Sequence, residues 1–366
     1  MLIFYFLEIK RKKMSECSKK TNIRNDGIDC LKCLCAFFVI CIHKPFPSQF
    51  NQYIFPFIRV AVPIFFMITG FFYCRTEDKK KEIRQIKKIC IILFYANLLY
   101  LVWEVVKILI LKKSLIIYFN EILKLKSIMK MLIFNESPFS GHLWYLFAIL
   151  YVLLIVLFLE KNINKNKLYV LIPCLLIGDL LFGKYSNLIW GVEFPLFLVR
   201  NFLFVGIPYF YLGDYISEKI KNINLKKLRW PCSLLIIIFY ITTLLEKNIL
   251  IMYNMNTSRE HYASTTFLAI TIFLFFISFE NEFKKYKFMY VFSKIGLEYS
   301  MLIYVIHVII IQCYDKFIPL LNKRVKGINN IYEIFAPFLI FITTLILANI
   351  FMNLKKNKLY KFGFKL

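Results

Sequence analysis

The 366 residues are 59% hydrophobic and 18% aromatic, only 19% are charged, and the mean hydropathy is +0.62. Soluble domains are less apolar and more charged than this, which excludes a water-soluble enzyme fold, a disulfide-stapled secreted module and a disordered tail and points to a membrane protein. The net charge of +26 is carried in short basic clusters between apolar runs, as the positive-inside rule and anionic lipids favour. Membrane lipids, and no nucleic acid, are the partners expected.

The amino-terminal run MLIFYFLEIKRKKMSE is too short to span a bilayer. Its bases follow the apolar stretch, the reverse of a secretory signal. It reads as a small interfacial anchor or as a stretch ahead of a start at Met14. Windows long enough for the hydrocarbon layer then number about ten. They run near Ile28–His43, Tyr53–Cys74, Ile89–Leu111, His142–Leu159 and Leu168–Phe182, then Pro195–Ile216, Pro231–Leu245, Tyr262–Phe279, Phe292–Tyr314 and Tyr332–Met352. Their continuous apolarity sets aside a β-barrel. The expected fold is all-α, a polytopic transmembrane helix bundle. With the amino terminus inside, the inner segments carry 30 basic residues and the outer ones 13, so both termini are expected in the cytoplasm. Residues 112–141 are basic and partly apolar, and read either as an interfacial amphipathic helix or as an eleventh crossing.

Ionisable residues inside such windows are costly and point to the bundle interior. The first window carries Arg24, Asp26, Asp29, Lys32 and His43. Lys32 and His43 are eleven positions apart, on nearly the same helix face and about 16 Å apart along the axis, and Asp29 is one turn from Lys32 and placed to pair with it. Lys32 is open to two readings, a snorkelling cation or an anion-binding one. His43 is equally open, as an interfacial residue ahead of K-P-F-P or as a proton acceptor for a hydroxyl. In the second window Arg59 suits an anionic substrate or a counter-charge to Glu136 or Glu193, and Pro63 breaks the helical ladder while Thr69 and Gly70 allow close contact. Glu104 and Lys107 are spaced as a structural ion pair. His142, Trp144 and Tyr145 open the fourth window, either as an aromatic belt at the rim or as a seat for a sugar. Arg200 and Asn201 lie in the sixth, where Gly206, Pro208 and Gly213 imply a kink or close packing. His307 lies deep in the ninth, beside Tyr299, Ser300 and Tyr304. The ten cysteines read as small buried hydrophobes, and the four histidines are too dispersed in sequence to make a metal site.

These phrases together resemble acyltransferase family 3, the OafA-like integral membrane O-acyltransferases. The chain has I28-D29-C30-L31-K32, ten intervening residues and then His43, followed by V62-P63-I64-F65-F66-M67-I68-T69-G70-F71, H142-L143-W144-Y145-L146, and E298-Y299-S300-M301-L302-I303-Y304-V305-I306-H307. Lys32 stands where the family more often has Arg, keeping the charge but losing the bidentate fork, and Thr69 replaces the commoner Ser. The resemblance implies transfer of an acetyl or other acyl group from cytoplasmic acyl-CoA, a co-substrate rather than a resident cofactor, to a hydroxyl of a cell-envelope or exported carbohydrate. His43, with Lys32 and Asp29 on its helix, is then the catalytic set, and Lys32, Arg84, Lys87 and Lys88 meet the donor phosphates. Arg59, His142, Trp144, Tyr145, Arg200, Asn201 and His307 line the acceptor side. The domains expected are a basic cytoplasmic segment over 1–23, a transmembrane acyltransferase domain over 24–353 and a basic tail over 354–366, in a bacterial plasma membrane. Some family members are fused to periplasmic or racemase domains, and none is expected within these 366 residues. A transporter or flippase for an anionic or lipid-linked sugar is the alternative.

Overall fold

The computed structural model describes residues 25–73, 79–257, 259 and 261–361. The readings made for 1–23, Arg24, Cys74 and the end of the tail lie outside them. The described residues form helices and no strand. The first are α1 (Asp26–His43), α2 (Ser48–Arg59), α3 (Ala61–Phe71), α4 (Lys79–Ile110), α5 (Leu115–Ile122) and α6 (Leu125–Phe134). A 3-10 turn at Gly141–Leu143 leads into α7 (Trp144–Asn162), followed by α8 (Lys165–Leu168), α9 (Leu171–Phe182), α10 (Ser186–Trp190) and α11 (Leu196–Val199). A π-turn at Phe202–Gly206 leads into α12 (Ile207–Lys219), followed by α13 (Arg229–Met252), α14 (Ala263–Ile277), α15 (Lys287–Glu298), α16 (Ser300–Asn322) and α17 (Ile328–Lys361).

Among the described residues, seven helical stretches are long and apolar enough to cross a membrane: Ser48–Phe71, Glu82–Ile110, Gly141–Asn162, Leu196–Lys219, Leu225–Met252, Ser300–Asn322 and Ile328–Leu354. Three of the ten windows do not reach that standard. The first helix carries Asp26, Asp29 and Lys32 within its 18 residues. The helices of the fifth and eighth windows have 12 and 15 residues, about 18 and 22 Å of rise against the ~30 Å hydrocarbon core. Residues 112–141 form no continuous crossing, because α5 and α6 have 8 and 10 residues and no buried side chain. The second window divides at Val60, and Pro63, in the first turn of α3, has no N–H to bond residue 59. The ninth window also divides, with Tyr299 between α15 and α16.

The chain makes two compact units. The first holds 62–224 and 241–267. Its α3 and α12 pack backbone to backbone: a Cβ on Gly70 would lie 1.9 Å from the Phe210 carbonyl oxygen, and one on Gly213 2.0 Å from that of Met67, so each helix supplies the gap the other needs. The expected irregularity of the sixth window is the π-turn, a frequent way of bending a helix. Asn135, at φ 53°, accepts from Phe202 N and donates to the Trp144 carbonyl, tying that turn to the start of α7. A buried carboxylate, Asp214, is met by Lys165 at 2.8 Å and by the Tyr169 hydroxyl at 3.0 Å. The expected Glu104–Lys107 pair is formed, at 2.6 Å.

The second unit holds 25–61, 225–240 and the described residues from 268 onward, with α1 packed against α15, α16, α17 and α2. A Cβ on Gly296 would fall 1.8 Å from the Asp29 carbonyl, so α15 lies directly on the α1 backbone. Cys30, Cys33, Cys35 and Cys41 are the small buried residues that α1 was expected to carry, whereas Cys90, Cys174 and Cys313 are exposed on their helices. The start of α1 is pinned by polar groups. Asn25 accepts from Ile28 N and donates to the Ile277 carbonyl, and the fully buried Asp26 carboxylate accepts from Asn281 N and Lys284 N. Nearby, Glu282 meets Lys226 at 3.1 Å and Arg229 at 2.6 Å. Chiefly the hydrogen bond from Lys226, with that from Arg229, holds the Glu282 carboxyl below its usual range.

Candidate active site

The α1 helix is unbroken from Asp26 to His43, so the eleven-residue spacing of Lys32 and His43 is realised on one rod. Asp29 accepts from Lys32 Nζ at 3.0 Å, with the carboxylate almost fully buried and the ammonium partly exposed. This is the pairing expected from sequence. It leaves Lys32 a cation held in place by a carboxylate one turn away.

At the other end of α1, the exposed His43 meets a residue 264 positions later. Its ring centroid is 5.1 Å from that of His307, with the planes at 49°. His307 lies on α16 at 0% exposure, and its Nδ1 is 2.7 Å from the Tyr304 carbonyl and 3.2 Å from that of Ile303. A carbonyl only accepts, so Nδ1 carries the proton and Nε2 is the ring's acceptor atom. Beside the pair, Lys44 bonds Asp315 at 2.6 Å and sits over the Tyr332 ring.

Arg59 ends α2 and lies 4.7 Å from the centroid of the Phe55 ring. The two carboxylates considered as its counter-charges have cationic neighbours of their own: Glu136 pairs with Lys130 at 3.4 Å and Glu193 with Arg259 at 3.4 Å.

The first unit brings most of the other expected acceptor-side residues together. Trp144 and Tyr145 open α7 and pack on Phe66 of α3, at 6.2 and 4.8 Å between centroids. The Arg200 guanidinium lies 5.4 Å from the Trp144 ring centroid, a cation–π arrangement. His142 is buried, with Nδ1 2.8 Å from the Ser140 hydroxyl and its ring edge-on to Tyr100 at 4.8 Å. His142 in the 3-10 turn and Trp144 and Tyr145 at the start of α7 are therefore buried within the first unit. Asn201 is committed to the backbone: Oδ1 accepts from Leu203 N and Phe204 N, and Nδ2 donates to the carbonyls of Phe197 and Leu198. That makes it the cap of the π-turn. Arg84, Lys87 and Lys88 follow one another on the early turns of α4, with Lys87 the most exposed.

One buried polar pair escaped the sequence reading. His261 Nδ1 is 2.9 Å from Asp179 Oδ2, both nearly inaccessible, with Tyr209 beside the ring and bonded to Thr266 at 2.8 Å. The only signal was a carboxylate inside the apolar run L175-L-I-G-D179-L-L-F.

A family model for the acyltransferase domain of acyltransferase family 3 matches residues 25–352. Two curated proteins of Enterococcus faecalis, each named amino-acid racemase, are similar to the chain. One is 24% identical over 362 residues, which are 91% of this chain and 47% of the relative. The other is 31% identical over 209 residues, 52% of this chain and 28% of the relative. The chain thus spans about half the length of the first of these relatives. No solved structure matches it. With the family model covering nearly every described residue, from the start of α1 into α17, the chain belongs to acyltransferase family 3 as a multi-pass helical protein carrying an acyltransferase domain.

Proposed function

We propose that this protein is an O-acyltransferase of the bacterial plasma membrane, with both termini in the cytoplasm. It moves an acyl group, acetyl foremost, from cytoplasmic acyl-CoA to a hydroxyl of a cell-envelope or exported carbohydrate. The observation that supports it best is the exposed imidazole of His43 at one end of α1, beside His307, with the Lys32–Asp29 pair toward the other end. His43 takes the hydroxyl proton as the acceptor oxygen attacks the thioester carbonyl. As the tetrahedral centre collapses, the carbon–sulfur bond breaks and the imidazolium returns the proton to the departing thiolate, leaving an ester and free CoA. Lys32, Arg84, Lys87 and Lys88 are assigned to the donor phosphates. Arg59, His142, Trp144, Tyr145 and Arg200 are assigned to acceptor recognition, and Asn201 to the backbone beneath it. The relatives' name describes racemisation, and acyl transfer is the reading taken from this chain's own domain.

The test is turnover of labelled acetyl-CoA in proteoliposomes against a panel of envelope glycans, for wild type, His43→Ala and His43→Gln at matched amounts of folded protein. General-base transfer is worth about 10²–10⁴-fold, so both variants should be nearly inactive. Wild-type activity should also fall as acidification charges the imidazole. Near-wild-type turnover by His43→Gln would remove the base role, and absence of donor consumption by wild type with every glycan would remove acyl transfer.

A further inference from the structure

Past the His43 end of α1 lies a group of polar side chains that the acyl-transfer scheme leaves unused. Lys44 closes the helix, its backbone N–H bonded to the Ile40 carbonyl, and its side chain reaches α16 and α17. There Nζ bonds Asp315 Oδ1 at 2.6 Å and lies 5.0 Å from the centroid of the Tyr332 ring. Tyr332 in turn stacks on Tyr314, at 5.7 Å between centroids. Phe46, two residues beyond Lys44, is buried against Phe37 and Phe338 and holds the chain in place after the helix. All of these residues belong to the second unit.

The hydroxyls of the two tyrosines differ. Thr343 gives its proton to the Leu339 carbonyl at 2.7 Å, so the 2.8 Å bond between Tyr314 and Thr343 uses the Tyr314 proton. Tyr314 is thereby spent inside the fold. Tyr332 is 4% exposed, and its hydroxyl is buried with no hydrogen-bond partner among the described residues. A buried phenol oxygen without a partner carries a desolvation cost that a phenylalanine in its place would not.

The cover over that hydroxyl is soft. The side chains of Lys44 and Asp315 are 23% and 46% exposed, and an ion pair this open to solvent contributes little, so its members part easily. Lys44 offers three N–H donors and Asp315 two acceptor oxygens, and their charges cancel. Donor and acceptor side by side, with no net charge between them, match the neighbouring hydroxyls of a neutral sugar, each of which both donates and accepts. Asp315 follows His307 by eight residues on α16, about 12 Å along the axis. The group therefore stands apart from a hydroxyl held at His43 and falls on a further sugar of the same glycan.

We infer that Lys44, Asp315 and Tyr332 form a subsite for a neutral sugar of the acceptor glycan, next to the sugar that is acylated. Asp315 accepts from one sugar hydroxyl, and Lys44 turns off the Tyr332 ring to donate to its neighbour. The uncovered Tyr332 hydroxyl then donates to the sugar and gains the partner it lacks within the fold. This rests on the acyl-transfer reading and narrows its acceptor to an oligosaccharide with a neutral unit at this position.

The experiment uses the full chain in proteoliposomes, with a panel of neutral envelope oligosaccharides, their uronic-acid counterparts and the matching monosaccharides as probes. The first readout needs no turnover: protection of Lys44 from an N-hydroxysuccinimide ester, followed by peptide mass spectrometry. Neutral oligosaccharides should protect Lys44 in wild type, at lower concentration than the uronic acids or the monosaccharides. The half-protecting concentration should rise about 3–10-fold in Tyr332→Phe, one neutral hydrogen bond, and about tenfold in Asp315→Asn. The melting temperature of Tyr332→Phe should stay at or above that of wild type, because the hydroxyl it removes bonds nothing in the fold. The second readout is turnover of labelled acetyl-CoA, where the acceptor KM should rise by the same factors and the donor KM should stay within about twofold.

Unchanged half-protecting concentrations in folded Tyr332→Phe and Asp315→Asn overturn the proposal, as does a wild type that no sugar protects. A lowered melting temperature of Tyr332→Phe with wild-type protection assigns the hydroxyl to packing and overturns it too. Protection that follows the phosphatidylglycerol content of the vesicles and ignores sugar makes Lys44 a lipid contact, with the same consequence. If wild type transfers no acyl group while sugar protection stands, the acyl-transfer reading fails and the sugar subsite survives it.

Discussion

His43 and His142, one in each unit, sit in opposite surroundings. In the unit built on α1, His43 is exposed and its neighbour is another imidazole, whereas His142 in the other unit is buried against Tyr100 and bonded to Ser140. Exposure leaves the His43 ring open on its surface, while burial beside Tyr100 holds the His142 ring fixed by its neighbours. The distinction extends to the polar residues around them. Lys32 keeps a partly exposed ammonium on a buried Asp29; Asn201 and Asn135 spend their amides on backbone. Residues of one type thus divide into those left partly exposed and those whose polar atoms are spent on the surrounding structure.

The largest effect should come from setting the two histidines against each other. His43→Ala is expected to lose at least about 100-fold in donor turnover with its melting temperature in detergent unchanged. His142→Ala should lose about 1–3 kcal/mol of stability and less than tenfold in kcat. Reversal of that pattern would mean the two environments do not separate chemistry from support.

Close packing provides the next contrast. Gly296→Val would drive a side chain into the Asp29 carbonyl and should cost more than about 3 kcal/mol, read as loss of monodisperse protein in size-exclusion chromatography. Around Gly141 a Cβ meets nothing within 4 Å, so Gly141→Ala should stay within about 0.5 kcal/mol of wild type. Between these, Asp26→Ala removes a buried carboxylate that accepts two backbone N–H groups and should cost about 1.5–3 kcal/mol. Asn201→Ala loses a cap and should cost about 0.5–2 kcal/mol.

Charge effects should be smaller. Lys32→Met is expected to raise the KM for acyl-CoA about tenfold, one charge-assisted hydrogen bond, and Lys32→Arg to keep it near wild type. Unchanged donor KM in Lys32→Met would make Lys32 a snorkelling cation. The smallest effect concerns Glu282, whose carboxyl is held below its ordinary value by Lys226 and Arg229. A carboxylate with a lowered folded value adds stability that is complete above the unfolded value of about 4.3 and is lost as pH falls through the folded one. Wild type should therefore lose slightly more stability than Glu282→Gln on acidification below about pH 4.3, measured as the difference between their melting temperatures.

Much of the fold was legible because helix periodicity and apolarity are local properties. The seven long apolar helices, the Lys32–Asp29 and Glu104–Lys107 pairs and the irregular turn before Pro208 all arise within a few residues. Two of the shorter windows share a cause: apolarity alone does not set helix length, and α9 and α14 have only 12 and 15 residues, which a hydropathy window does not register. The burial of His142 was illegible for a related reason: exposed and buried aromatic clusters have the same composition.

The sequence by itself determined that this is a multi-pass helical chain of acyltransferase family 3, that Lys32 and His43 share a helix face, and which ionisable residues fall inside its apolar runs. Those facts depend on side-chain periodicity and on motifs a few residues long. Only the tertiary structure decided that His307 stands against His43 and that Asp26 holds the loop at 281–284. It also decided that Asp179 meets His261, and that Asn201 is spent on its own backbone. The first three pairings join positions 82 to 264 residues apart, and what selects them is helix packing: the gap at Gly296 that lets α15 lie on α1, and the need of every buried polar group to find a partner where no water can serve.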